Sequence, residues 1–90
     1  MMKLFAVFDQ CAASFLTVLT MKTVGMAERA FLNALLSDEH QFAHNPEHYS
    51  LYLLGEFDEE TGLIVPLDKP KFLQNGEQFL ASAIAKESEK

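Results

Sequence analysis

Tyr49-Ser50-Leu51-Tyr52-Leu53-Leu54-Gly55-Glu56-Phe57-Asp58-Glu59-Glu60-Thr61-Gly62-Leu63-Ile64-Val65-Pro66-Leu67 is the stretch that decides the fold. Two apolar runs flank a short acidic loop that closes on Thr61-Gly62, which predicts a β-hairpin. Gly62 can take positive φ without Cβ strain at the last loop position, and Asp58 can hydrogen-bond the loop backbone. Side chains alternate along a strand. In the first arm, alternation places Tyr49, Leu51, Leu53 and Phe57 on one face and Ser50, Tyr52, Leu54 and Glu56 on the other. Gly55 interrupts that arm and predicts a bulge or a close crossing. Pro66 cannot donate to a ladder, so the second arm is expected at a sheet edge.

Outward from the hairpin, residues 3–8 are apolar on both faces, with Leu4, Ala6 and Phe8 opposite Phe5 and Val7, as in a central strand. Residues 15–20 resume extended propensity through Phe15, Thr17, Val18 and Thr20, and a helical start competes with a second strand there. From Val24 to Leu36 the period changes: Val24, Ala27, Ala30, Phe31, Ala34 and Leu35 form a helical stripe. Thr23 is its expected N-cap, with Glu28 and Arg29 toward solvent. Leu32 and Leu36 lie off the stripe, to widen the buried face or to meet a partner. Residues 37–48 form a polar connection broken by Asn45-Pro46, with Phe42 as its anchor to the core. Asp68-Lys69-Pro70 predicts another break. A last helix carries Phe79, Leu80, Ala83 and Ile84, with Asn75 to Gln78 as a capping box; residues 86–90 are expected to fray.

The order strand, strand, helix, strand, strand, helix predicts a single α+β domain over residues 1–90. Its antiparallel sheet has about four strands, with one central and one C-terminal helix. Ninety residues bury roughly 60–65% of the unfolded surface, which favours association. A hydrophobic share of 49% with 22% charged residues is that of a folding globular chain.

Thirteen acidic against seven basic residues give a net charge of -6, and that field repels phosphate and anionic lipid. Cys11 is the single cysteine, so no internal disulfide forms, and it is expected as a small, at least half-buried residue of a reduced protein. The N-terminal apolar run ends at Asp9, too early for a signal sequence, and no segment is long enough to span a bilayer. The chain is expected to be soluble, unexported and without membrane contact.

His40, His44 and His48 recur every four residues, the spacing of imidazole ligands on a helix, but Pro46 breaks the helix that would align them. Glu56, Asp58, Glu59 and Glu60 cluster at the hairpin. They lack the ligand alternation of a calcium loop, a partner nucleophile for catalysis, and the extent of a DNA mimic; a solvated turn that blunts aggregation explains them. No nucleophile and base pattern or phosphate-binding glycine loop stands out. The expectation is therefore a protein that is not an enzyme and needs no cofactor or metal.

The basic residues Lys3, Lys22, Arg29, Lys69, Lys71, Lys86 and Lys90 are scattered. Phe5, Phe15, Tyr49 and Tyr52 could stack on unpaired bases if exposed on a sheet. Lys69, Lys71 and Phe72, with Tyr52, form the one candidate nucleic-acid patch. Self-association, with a dimer favoured, is placed on Phe72, Leu73, Phe79, Leu80 and Ile84 together with exposed sheet.

Four collinear segments carry a resemblance that runs through Leu67. They are residues 2–9 (Met-Lys-Leu-Phe-Ala-Val-Phe-Asp), Thr23-Val24-Gly25 with Arg29-Ala30-Phe31, residues 45–52 (Asn-Pro-Glu-His-Tyr-Ser-Leu-Tyr), and residues 55–62 (Gly-Glu-Phe-Asp-Glu-Glu-Thr-Gly). Together they resemble the small nonstructural protein of gokushovirus-type microviruses, which are single-stranded DNA bacteriophages. The resemblance implies a protein of the bacterial host cytoplasm, absent from the capsid, that assists genome replication or single-strand production and is sometimes labelled DNA-binding. It supplies no catalytic residues. Joined to the acidic charge, it suggests a non-enzymatic accessory protein acting by protein contacts, with the replication initiator, the scaffold or a host replication factor as partner. The alternative is a single-stranded DNA binder using the restricted basic and aromatic patch.

Overall fold

Residues 1–88 are described by the computed structural model, with side chains through residue 85. Strand β1 (Met2–Asp9) is the centre of an antiparallel sheet, because its apolar residues on both faces suit it to neighbours on both sides. On one side it pairs with β4 (Tyr49–Phe57). On the other, β2 (Ser14–Phe15) pairs with its C-terminal half and β3 (Leu19–Met21) with its N-terminal half. The expected second strand thus exists as two short pieces, with Leu16 N–H donating to the Val7 carbonyl (2.8 Å) between them.

Strand β5 (Ile64–Asn75) pairs only with β4 and is an edge, as Pro66 required. It runs through the break expected at residues 68–70. Four residues, 67–70, stand opposite Leu54 alone, between the pairs Gly55↔Pro66 and Leu53↔Lys71, so the disruption is a wide excursion within one strand. The hairpin closes as its residues dictate. Gly62 has φ +80, its N–H donates to the Asp58 carbonyl (2.7 Å), and Asp58 Oδ1 accepts from the amides of Glu60 (3.0 Å) and Thr61 (3.4 Å).

Helix α1 (Val24–Leu36) starts where Thr23 Oγ1 accepts from Met26 N–H (3.1 Å) and buries Ala27, Phe31 and Leu35. Leu36 is exposed and Leu32 half-buried. Glu28, expected on the solvent side, is half-buried because Gln74 Nε2 donates to its carboxylate (2.9 Å). The connection folds into α2 (Gln41–His44) and a 3-10 turn (Pro46–His48), and Phe42 is buried as its anchor. Helix α3 (Gly76–Ser88) opens on Asn75, whose Oδ1 accepts from Glu77 N–H (3.1 Å) and Gln78 N–H (3.3 Å). The expectation of fraying at 86–90 lies outside the described residues for 89 and 90, and for every side chain from 86 onward.

The core lies on one side of the sheet. Phe5, Val7 and Leu51 from the strands meet Ala27, Phe31, Leu35 and Phe42 from the helices, with Leu53, Leu73, Phe79 and Leu80 packed around them. The result is a two-layer α+β domain. Among the described residues, no helix is long and apolar enough to cross a membrane.

Candidate functional site: the open sheet face

The face of the sheet opposite the helices is built by pairing register, since directly opposed residues in an antiparallel ladder project to the same side. Leu4 and Ala6 are buried yet stand outside the helix-side core cluster, which places them on this second face. Phe8 follows them by alternation and pairs with Phe15; Ala6 pairs with Tyr52, and Tyr52 with Phe72. One aromatic ring therefore comes from each of β2, β1, β4 and β5.

These rings touch edge to face across the sheet. Centroid distances are 5.0 Å for Phe8–Phe15, 5.3 Å for Phe15–Tyr52 and 5.7 Å for Tyr52–Phe72, with interplanar angles of 79°, 83° and 77°. This is the geometry that aromatic quadrupoles favour. Phe15 and Phe72 remain 39% and 51% exposed, so the row is a surface feature.

A bulge determines what else lies on this face. Leu4 pairs with Gly55 and Phe5 with Leu53, leaving Leu54 as an extra residue in β4. Beyond it every side chain changes sides. Phe57, expected beside Leu53, joins the open face opposite Met2 and Ile64; Glu56, expected beside Tyr52, turns to the helix side opposite Lys3. Gly55 permits this crossing, because a Cβ there would strike the Val65 carbonyl oxygen and come within 2.8 Å of Pro66 Cα. By register the open face carries Met2, Leu4, Ala6, Phe8, Phe15, Thr20, Ser50, Tyr52, Gly55, Phe57, Ile64, Pro66, Phe72 and Asn75, none of them charged.

The sequence-derived candidates separate accordingly. Tyr52 and Phe72 are brought together, whereas Lys71 pairs with Leu53 on the opposite face and Lys69 lies in the 67–70 excursion. The basic part of the nucleic-acid patch is thus not drawn into the ring row. Phe5 and Tyr49 are not stacking candidates: Phe5 is fully buried, and Tyr49 packs its ring 4.5 Å from Phe42. The proposed self-association set also divides. Leu73, Phe79 and Leu80 pack against this chain's own core, with Phe79 stacked on Phe31 at 6.3 Å, while Phe72 and Ile84 are exposed. Lys86 and Lys90 have side chains outside the described residues.

Two of the three histidines make local contacts. His40 Nδ1 accepts from Phe42 N–H (3.1 Å) and caps α2, and His48 Nδ1 lies 3.3 Å from Cys11 Sγ. Among the described residues, no three His, Cys, Asp or Glu side chains converge to hold a metal ion. Cys11 is exposed rather than half-buried, because it sits in the β1–β2 turn where Asp9 Oδ1 accepts from the amides of Cys11 and Ala12. Nearby, the Tyr49 hydroxyl is raised above its ordinary pKa, first by desolvation and then by Asp9 and Cys11. The Asp58 carboxyl is lowered by the Glu60 amide and then by the Thr61 hydroxyl, so its charge serves the turn. On the helix side, an apolar groove of about 600 Å³ opens between α1, α2 and the segment joining β2 to β3. It reaches Val7, Ala27, Phe31 and Leu51.

These features define a small two-layer α+β protein whose second sheet face is aromatic, carries no charge among its paired residues and is left open by the helices among the described residues. The chain belongs to the phage ORF5 protein family, whose sequence profile matches residues 2–79. It is therefore a bacteriophage protein, and the match extends beyond Leu67 into the first turn of α3. No curated protein and no solved structure matches it.

Proposed function

We propose that this chain is a non-enzymatic accessory protein of a microvirus-type phage, acting by protein contacts in the host cytoplasm during genome replication or single-strand production. The observation that carries the contact mode is the open sheet face, which offers four joined aromatic rings and no charge among its paired residues. Phosphate-backbone binding draws its affinity from lysine and arginine. A contiguous apolar, aromatic patch on a small chain fits a protein partner.

A second reading retains single-stranded DNA, since base stacking on aromatic side chains contributes about 1–3 kcal/mol per base and needs no sequence. The ring row favours it; the net charge of -6 and the position of Lys71 oppose it. Anisotropy of a labelled oligonucleotide separates the two. The protein-contact reading expects no appreciable binding at physiological salt, and sub-micromolar binding that weakens steeply with salt would transfer the function to DNA. The replication role is tested by phage carrying Phe72→Glu: genome forms in infected cells should fall, and unchanged amounts of both double- and single-stranded genome would remove that role.

A further inference from the structure

We infer that the occupant of the open sheet face is a second copy of this chain, packed sheet on sheet about a two-fold axis along the strands. The inference rests on the reading of that face as a protein-contact surface and commits it to one partner.

Charge is the first argument. Each copy carries -6, so the summed fields of two copies oppose association, and that opposition is least when contact is made through a face whose paired residues carry no charge. The dense carboxylates Asp58, Glu59 and Glu60 sit in the hairpin loop, beyond the paired strands. A strongly basic or acidic partner would find no complementary charge on this face. An identical apolar face is its match.

Order across the sheet is the second argument. The rings run Phe15, Phe8, Tyr52, Phe72 over β2-β1-β4-β5. A two-fold axis along the strands lays β2 over β5 of the other copy and β1 over its β4. That axis preserves levels along the strands, and Phe8 and Phe15 lie level with Ser50 and Asn75, whereas Tyr52 and Phe72 lie level with Ala6. Phe8 therefore faces the partner's Ser50 and Tyr52 faces the partner's Ala6, so the two rows interdigitate. Facing sheets pack about 10 Å apart with interleaved side chains, and large rings alternating with Ala6 supply the necessary relief. Thr20 on the outer strand, with Ser50 and Asn75 at one strand end, gives the patch a polar margin.

Area is the third. Strands β1 and β4 form eight pairs, β5 runs alongside, and β2 and β3 add two and three residues at the other edge. At about 3.3 Å per residue and about 4.8 Å between strands the face spans roughly 450 Å². Two such faces bury about 900 Å² in all, the range of weak, transient interfaces. The expected dimer is therefore reversible, dissociating at micromolar concentration.

Sedimentation velocity on the full chain over a micromolar concentration series tests this. The wild type should pass from monomer to dimer. Phe72→Glu and Phe15→Glu should weaken association by roughly tenfold or more, while circular dichroism shows each variant folded. Leu36→Glu, at an exposed position on α1, should leave the dimer unchanged. A wild type that stays monomeric, or a dimer indifferent to both ring variants, overturns the inference. In the monomeric case an oligonucleotide measurement distinguishes the failures. No DNA binding removes only the second copy and leaves another protein as partner. Tight binding lost in Phe72→Glu removes the protein-contact reading as well.

Discussion

Gly55→Ala tests the bulge on which the composition of the open face depends. The added Cβ would strike the Val65 carbonyl oxygen and lie 2.8 Å from Pro66 Cα, and both obstacles are backbone of the neighbouring strand. Bringing the carbon pair to the near end of ordinary contact, about 3.5 Å, needs about 0.7 Å of movement. The β4 to β5 ladder resists that movement. Forced packing of this kind costs about 1–3 kcal/mol, against which the stiffer unfolded chain returns about 0.4–1 kcal/mol. A net loss of about 1–2 kcal/mol lowers Tm by roughly 4–16 °C in a domain of this size. Gly62→Ala is the comparison: no atom lies within 4 Å of its Cβ, so only its φ of +80 is costly, at about 1 kcal/mol. Asparagine separates the two causes, because it visits the left-handed region. Gly62→Asn should recover part of the loss, and Gly55→Asn should recover none. Thermal denaturation of the four variants supplies the measurement. A Gly55→Ala protein melting with the wild type would show that the strands separate freely there and would refute the close crossing.

Asp58 predicts a pH dependence. Its folded pKa is depressed below the ordinary 3.8, so its contribution is fully present above that value and is lost as pH falls through the lower folded value. Asp58→Asn should flatten the acid limb of a stability-pH curve, and superimposable limbs would contradict the turn geometry. Asn75 joins three elements: its Oδ1 caps α3, while Nδ2 donates to the Glu47 carbonyl (3.3 Å) and Ser50 Oγ (3.2 Å). Asn75→Ala should cost about 1–2 kcal/mol by urea denaturation, with Asn75→Asp intermediate because it keeps the cap and loses the donor. Equal midpoints for aspartate and alanine would assign the whole effect to the lost donor.

Much of the fold was legible because local chemistry agreed with tertiary packing. Thr23 and Asn75 are caps wherever an apolar helical stripe follows them, and Gly62 and Asp58 specify their turn almost alone. The misreadings arose where one residue changes the count. Alternation carried through Leu54 put Glu56 and Phe57 on the wrong faces, since Gly55 signals a bulge without saying which neighbour is extra. Asp68-Lys69-Pro70 looked terminal, and β5 resumes beyond it because Phe72 and Gln74 still find partners in Tyr52 and Leu51. The ring row was visible only in parts: Phe15 and Tyr52 as stacking candidates, Phe72 beside its lysines, and Phe8 as one face of a central strand. A signal that could have joined them lay in β1. Its residues are apolar on both faces, while two main helices suffice to cover one side of such a sheet.

The bulge links that sheet to the choice of partner. With strict alternation through β4, Glu56 would lie on the face with Tyr52, and Phe57 would point toward the helix layer. One extra residue instead sets Glu56 opposite Lys3, where opposite charges face each other across the β1–β4 pair. It also gives Phe57 to the open face beside Met2 and Ile64. A carboxylate among the rings would have to be desolvated, unpaired, whenever that face is covered, and such burial costs several kcal/mol. Its removal leaves a surface that two copies of an acidic chain can share without bringing their charges together. Gly55 makes the displacement sterically possible. A substitution there should therefore weaken self-association as well as the fold, and sedimentation of Gly55→Ala well below its melting temperature measures that effect: wild-type dimerisation would uncouple the bulge from the interface.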